Sequence, residues 1–322
     1  MRAIVFDKQV RFDRAYPDPT PGEGECLVQV HLAGICATDL QIIEGYMDFR
    51  GVPGHEMVGT VVAGSRDWRG KRVASEINCV CRKCDMCLSG LSPHCRNRTV
   101  VGIQGRDGCF ADLLAVPERN LHEVPEAVSD EEAVFIEPLA AAYQVVKQVP
   151  IEPRMNVAVV GSGRLGLLVA QVLATTGCRL EVVGRNPRTL ELCEKKRIIA
   201  RPVEEVAPRA DHDVVVECSG APEGLKLALE LVRPRGTIVL KSTYAGQAAP
   251  NLAPAVVNEV IMVGSRCGPF PDAINALVRK QIDVRSMISR TLPIEQGLEA
   301  LEAASKPDRV KMLLKINPRS RR

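Results

Sequence analysis

Val157-Ala158-Val159-Val160-Gly161-Ser162-Gly163-Arg164-Leu165-Gly166 is the stretch on which the reading of this chain turns. A short apolar run ends in three glycines at the G-x-G-x-x-G spacing, and a helical pattern follows over residues 165–176. Gly161 permits a tight turn. Gly163 lets the backbone approach a pyrophosphate, and Gly166 lets helix and strand pack closely. The helix opening at Arg164 and Leu165 turns its N–H groups and the positive end of its dipole toward phosphates. Alone the glycine spacing is a weak signal. Set between a strand and a helix it reads as a dinucleotide site.

The surroundings extend that reading. Strand-like runs at residues 180–183, 214–217 and 237–241 alternate with helical patterns, one of them over 222–231. Such alternation predicts a parallel, doubly wound α/β sheet across 141–265. Residues 1–140 have a different texture. Short alternating runs at 26–32 and 60–63 and a Gly/Pro cluster at 17–22 suit a β-rich domain. From 266 to 322 come a helix near 271–280 and a strand at 310–316, so the β-rich domain is expected to resume and the α/β domain to be an insertion.

The strand at 180–183 runs into Gly184-Arg185-Asn186-Pro187-Arg188. NAD enzymes usually place an acid at this strand end to hold the ribose hydroxyls. None stands here, and Glu181 comes too early. Arg185 and Arg188, with Asn186 between them, could hold a 2′-phosphate instead, so NADP is expected over NAD. Ser219 and Ser242 follow two later strands on the same carboxyl edge, where open α/β sheets bind ligands.

Bulk properties exclude several classes. The chain has 322 residues, 46% hydrophobic and 25% charged, with net charge +3. Nothing there favours nucleic acid or membrane as a partner. No apolar run nears the roughly 18–20 residues that span a bilayer. Asp7 comes too early for a signal peptide, so a cytoplasmic location is expected. The basic tail at 319–322 reads as a frayed end. His31, His122 and His212 are assigned no role, the first on an alternating strand and the other two in polar loops. Twelve cysteines in a reducing compartment point to metal rather than to disulfides.

Four of them, Cys81, Cys84, Cys87 and Cys95, follow C-x2-C-x2-C-x7-C in a lobe at about 79–96. Four thiolates close a tetrahedral shell around zinc and leave no place for substrate, so this zinc would be structural. An iron–sulfur cluster uses the same ligand type and ranks lower. Cys79, just outside the pattern, and His94, just inside its last ligand, could substitute, but the four-sulfur set is complete without them.

A second set is spread out: Cys36-Ala37-Thr38-Asp39, Gly54-His55-Glu56, and Glu137-Pro138-Leu139. One thiolate, one imidazole and one carboxylate leave a fourth zinc position open for water or substrate. With the four-cysteine lobe, these motifs resemble the zinc-containing medium-chain dehydrogenases/reductases, in the sorbitol, threonine and glucose dehydrogenase branch. The likeness covers essentially the whole chain.

That resemblance implies a Rossmann doubly wound sheet inserted into a GroES-like catalytic domain, two zinc ions per chain, and a homodimer or homotetramer. It implies Cys36, His55 and Glu137 as zinc ligands, and Glu56 as an exchanging ligand or a group just behind them. Asp39 orients the histidine. Thr38 bonds the substrate oxygen and passes its proton. Gln41 stands where many members have a relay histidine, and it cannot titrate.

The implied activity is hydride exchange between a primary, secondary or polyol alcohol and NAD(P), with an aldehyde or ketone product. Substrate contacts are expected from residues 46–49 and 266–270. The alternative is a catalytically weak or inactive zinc- and nucleotide-binding relative with a redox-sensing or structural role.

Overall fold

Val28 and Val30 are buried and Gln29 between them is exposed, the alternation of a strand with one face on a core. In a computed structural model, which describes residues 1–243 and 251–317, this strand is β3 (Glu25–Gly34). It follows a hairpin of β1 (Ala3–Asp7) and β2 (Gln9–Asp13). Next come α1 (Ala37–Ile43), β4 (Glu56–Ala63), β5 (Arg72–Ser75), β6 (Asn78–Cys79), α2 (Asp85–Leu88) and β7 (Thr99–Val100). β8 (Leu113–Pro117), β9 (Leu121–Glu123) and α3 (Asp130–Ala133) then lead to α4 (Ile136–Gln148).

The α/β part follows in chain order. It holds β10 (Asn156–Val160), α5 (Arg164–Ala174), β11 (Arg179–Gly184), α6 (Pro187–Glu194), β12 (Ile199–Pro202) and β13 (His212–Glu217). α7 (Pro222–Leu231), β14 (Val232–Leu240), α8 (Ala253–Val257) and β15 (Ile261–Gly264) complete it. Its six strands are all parallel, in the order β12-β11-β10-β13-β14-β15. Numbered within the sheet that is 3-2-1-4-5-6, the doubly wound dinucleotide order, with its switch point between β10 and β13.

β16 (Ile288–Pro293) and β17 (Lys311–Lys315) then rejoin the first sheet. Its order is β16-β17-β3-β4-β5-β9, with β8 pairing β3. The α/β sheet therefore interrupts the β-rich one, as the sequence pattern predicts. One unit takes Met1–Glu137, Ala273–Arg279 and the chain from Ile288; the other takes Pro138–Asp272 and Lys280–Met287.

Some local expectations change. α7 spans residues 222–231 as expected. β14 starts at Val232, five residues earlier than the expected 237, because Pro234-Arg235-Gly236 reads as a turn yet is carried within the strand, with Arg235 at φ 58°. His122 lies in β9 and His212 in β13, not in loops. Phe49, expected near substrate, is buried with Phe6 and Ile42. The basic tail at 319–322 falls outside the described residues.

Candidate functional site

Two segments converge in the β-rich unit. β3 ends just before Cys36, which opens α1, and β4 begins with Glu56 directly after His55. The antiparallel pairing Gly34↔Glu56 brings the two strand ends together. One ligand atom each of Cys36, His55 and Glu56 then lies within 4.8 Å of the others. Tetrahedral ligands at zinc bond lengths stand roughly 3.3–3.8 Å apart, so this donor set is of the size zinc needs. Glu137 does not join that group. It sits half-buried in the first turn of α4.

Asp39 is fully buried behind the set. Its carboxylate accepts from Cys36 N at 2.7 Å and from Gly54 N at 3.2 Å. It also approaches His55 Nδ1 to 3.2 Å, obliquely enough that Nδ1 makes no aligned hydrogen bond. Burial pushes the His55 pKa down, but the Asp39 and Cys36 charges outweigh it and hold the imidazole well above its ordinary value. Thr38 Oγ1 lies 3.7 Å from Cys36 Sγ. Gly54 adopts φ +95°, and a side chain there would strike the Phe110 ring.

Sequence reading missed one residue here. Lys311 Nζ on β17 pairs with Glu56 Oε2, and both side chains are almost wholly buried, at 2% and 1% exposure. The register Leu313↔Gly34↔Glu56 brings them together. Gly34 leaves the space, since a Cβ there would collide with both partners. Lys311 also lies 5.6 Å from the Phe135 ring centroid. The one available signal was a lysine set directly against the apolar run Met312-Leu313-Leu314, which Lys315 closes.

The four lobe sulfurs also lie within 4.8 Å of one another. Cys95 Sγ stands 3.5 Å from Cys81 Sγ and 3.8 Å from Cys84 Sγ. These are far beyond a disulfide bond and close to the roughly 3.8 Å between thiolates in a tetrahedral zinc shell. The Lys83 N–H and its neighbours lower the Cys81 thiol to about 6, favouring a thiolate. Arg96 holds Asp85 through two bonds of 2.7 Å and so ties the start of α2 to the last ligand.

In the α/β unit Gly161 takes φ +106°, and a Cβ there would meet the backbone of Cys218 and Ser219 at 2.7 Å. A Cβ on Gly166 would run into the Gly161 carbonyl, while Gly163 faces open space. Arg164 and Leu165 begin α5, with Gly163 as N-cap. Arg185 and Arg188 are exposed, and the Asn186 side chain caps α6 by accepting from Arg188 N. Glu181 is engaged within its sheet by His212 and Arg201. Gly184 admits no side chain, because a Cβ would strike Ser162 Oγ. Ser219 donates to Glu217 Oε1 at 2.5 Å, and Ser242 Oγ accepts from Gly220 N at 2.8 Å. No helix among the described residues is long and apolar enough to cross a membrane.

The family model of the alcohol dehydrogenase GroES-like domain matches residues 22–126, and that of zinc-binding dehydrogenases matches 165–281. A sorbitol dehydrogenase of Halalkalibacterium halodurans is 29% identical over 92% of this chain and 93% of its own. An L-threonine 3-dehydrogenase of Streptomyces coelicolor is 31% identical over 77% and 78%. An alcohol dehydrogenase of E. coli CFT073, solved with NADH, has TM-score 0.89, 27% identity and coverage of 98% and 99%. A zinc-binding dehydrogenase of Sinorhizobium meliloti 1021, solved with NADP, has TM-score 0.85, 27% identity and coverage of 98% of each chain.

Proposed function

Because the chain belongs to the zinc-dependent medium-chain dehydrogenases/reductases, we propose that Cys36, His55 and a carboxylate hold a catalytic zinc and that the Gly161–Gly166 loop holds NADP. The protein is an oxidoreductase that moves a hydride between an alcohol and a nicotinamide dinucleotide. When bound, the zinc supplies Lewis acidity at the substrate oxygen, and the nicotinamide supplies the hydride acceptor.

The chain's own residues do the rest. Asp39 holds His55 and the Cys36 backbone in place. Thr38 Oγ1, beside Cys36, takes the alcohol proton. Gln41 cannot pass that proton on, so it leaves through water or ribose hydroxyls. The carboxylate is supplied by Glu137, which the family pattern puts in the third position, or by Glu56, which already stands with Cys36 and His55 and is anchored by Lys311. Cys81, Cys84, Cys87 and Cys95 hold a second, structural zinc. Arg185 and Arg188 face the 2′-phosphate, with Asn186 capping the helix between them and Ser219 and Ser242 near the nucleotide.

The observation that carries this reading is the convergence of Cys36, His55 and Glu56, with buried Asp39 behind them. The substrate is a small alcohol, primary, secondary or polyol. The protein is expected as a homodimer or homotetramer. Twelve cysteines, four of them gathered in one lobe, fit a reducing cytoplasm. Turnover of an alcohol panel with NAD and NADP, together with a zinc count, tests the reading. Two zinc ions per chain and turnover favouring NADP support it. No turnover with any alcohol would favour the inactive alternative.

A further inference from the structure

His31 belongs to a buried polar assembly that the reaction as described leaves unused. Its side chain is 5% exposed. His31 Nδ1 lies 3.1 Å from Asp130 Oδ2, and Nε2 lies 3.0 Å from Thr60 Oγ1. A carboxylate only accepts, so Nδ1 donates to Asp130, and Nε2 shares the second hydrogen bond with the Thr60 hydroxyl. Arg72 completes the group. Its guanidinium donates to Asp130 Oδ1 at 2.7 Å and to the carbonyls of Pro125 and Val128 at 2.6 and 2.5 Å. Burial pushes the Asp130 carboxyl up, but the bonds from His31 and Arg72 outweigh it and hold it below its ordinary value.

The chain positions of these groups give the assembly its meaning. His31 is on β3, five residues before Cys36. Thr60 is on β4, four residues after Glu56 and five after His55. Asp130 is the first residue of α3, and α4, which carries Glu137, follows three residues after α3 ends. One imidazole therefore ties together the three segments that deliver all the ligand candidates of the open site. The backbone carries a matching device. Pairing of β3 with β4 shifts between Val30↔Gly59 and Leu32↔Val58, which leaves His31 as the extra residue of a bulge. Bulges re-aim side chains and reset the strand beyond them, here the strand that ends before Cys36. The alternating burial of β3 stops at this point, and residues 30–34 are buried without a break.

We propose that His31, with Thr60, Asp130 and Arg72, is a positioning assembly that sets the spacing of the open metal site from outside it. This rests on the metal-site reading above. Ligand sets work only when held within about 0.5 Å, and a misplacement of about 1 Å costs up to roughly a hundredfold in rate. A brace of two hydrogen bonds at one remove is expected to be worth about tenfold.

The test uses the zinc-loaded full chain, a chromophoric zinc chelator, steady-state kinetics and thermal unfolding. His31→Leu should speed release of one zinc of the two about tenfold. It should lower kcat about tenfold and leave the KM for nucleotide unchanged. Thr60→Val, which removes one hydroxyl at a half-buried strand position, should move both readouts the same way by less. The second zinc should be released at the parent rate in both. If His31→Leu does not fold, Thr60→Val decides alone. A variant that unfolds at lower temperature yet releases zinc and turns over at parent rates would overturn the proposal and leave a purely structural network. If Cys36→Ser, run alongside, retains both zinc ions, the metal-site reading has failed and the brace falls with it.

Discussion

Lys311 and Glu56 form a costly arrangement in the β-rich unit, two opposite charges removed from water on the strands either side of β3. Such a pair contributes little net stability when intact, but losing one partner strands the other charge. Lys311→Met should therefore destabilise the protein by about 3–5 kcal/mol. Lys311→Met with Glu56→Gln should recover most of that loss. Urea unfolding reads both, and a single variant within 0.5 kcal/mol of the parent would remove the pair from the account. The second residue-scale case is the strand end after β11. Gly184 leaves no room for the usual acid, and Arg185 follows it, exposed. A charge-assisted contact to phosphate is worth about 1.5–3 kcal/mol. Arg185→Ala should raise the KM for NADP roughly ten- to a hundredfold and change that for NAD little. A clear preference for NAD, untouched by this variant, would sink the 2′-phosphate assignment. Neither residue was equally open to sequence reading. Arg185 is legible because the role proposed for it follows from its place after a strand. Lys311 is not, because its partner lies 255 positions away and no local pattern encodes it.

Among the elements, periodic ones were the most legible. α7 and the strand–glycine–helix unit of β10 and α5 follow from patterns confined to a few turns. His212 was not, since polar neighbours on one side disguised a strand start. The structure places it across β10, where His212 Nε2 and Glu181 Oε1 are 2.9 Å apart and link the strands on either side. This pairing has a pH signature. Burial lowers the His212 pKa, but the Glu181 bond outweighs it and leaves it above its ordinary 6.5. Glu181 is held below its ordinary 4.5 by His212 first, against burial. The histidine's contribution is complete below 6.5 and fades as pH rises through the higher folded value. The carboxylate's contribution is complete above 4.5 and fades as pH falls through the lower folded value. The pair therefore stabilises the sheet most between about pH 4.5 and 6.5. His212→Gln should cost about 1 kcal/mol at pH 5.5 and less at pH 9. Denaturation curves at the two pH values check it, and an equal loss at both would show that packing, not charge, holds His212.

At the scale of the whole molecule, the two chemical components are assigned to separate compact units. The ligand candidates Cys36, His55, Glu56 and Glu137 belong to the β-rich unit, and the glycine loop with Arg185 belongs to the α/β unit. The division follows from topology. β17 pairs with β3 and carries Lys311 to Glu56, so the β-rich sheet is complete only when the C-terminal strand has returned. The six parallel strands form their own sheet from the segment between. Each component should then be removable alone. On the proposed assignment, Cys36→Ser takes a thiolate from an open site that the fold does not require, whereas the lobe cysteines would close a shell that orders their own loop. The variant should lose one zinc of two and at least a thousandfold in turnover, the scale of several kcal/mol of lost Lewis acidity at the substrate oxygen. Its affinity for NADPH, read by the nucleotide's fluorescence, should stay within about twofold of the parent, because no nucleotide-binding residue proposed above lies in that unit. Loss of both zinc ions would mean that the two metal sites fold together. Loss of nucleotide affinity along with turnover would mean that the metal site supports the nucleotide site, and the assignment of one component to each unit would have to be given up.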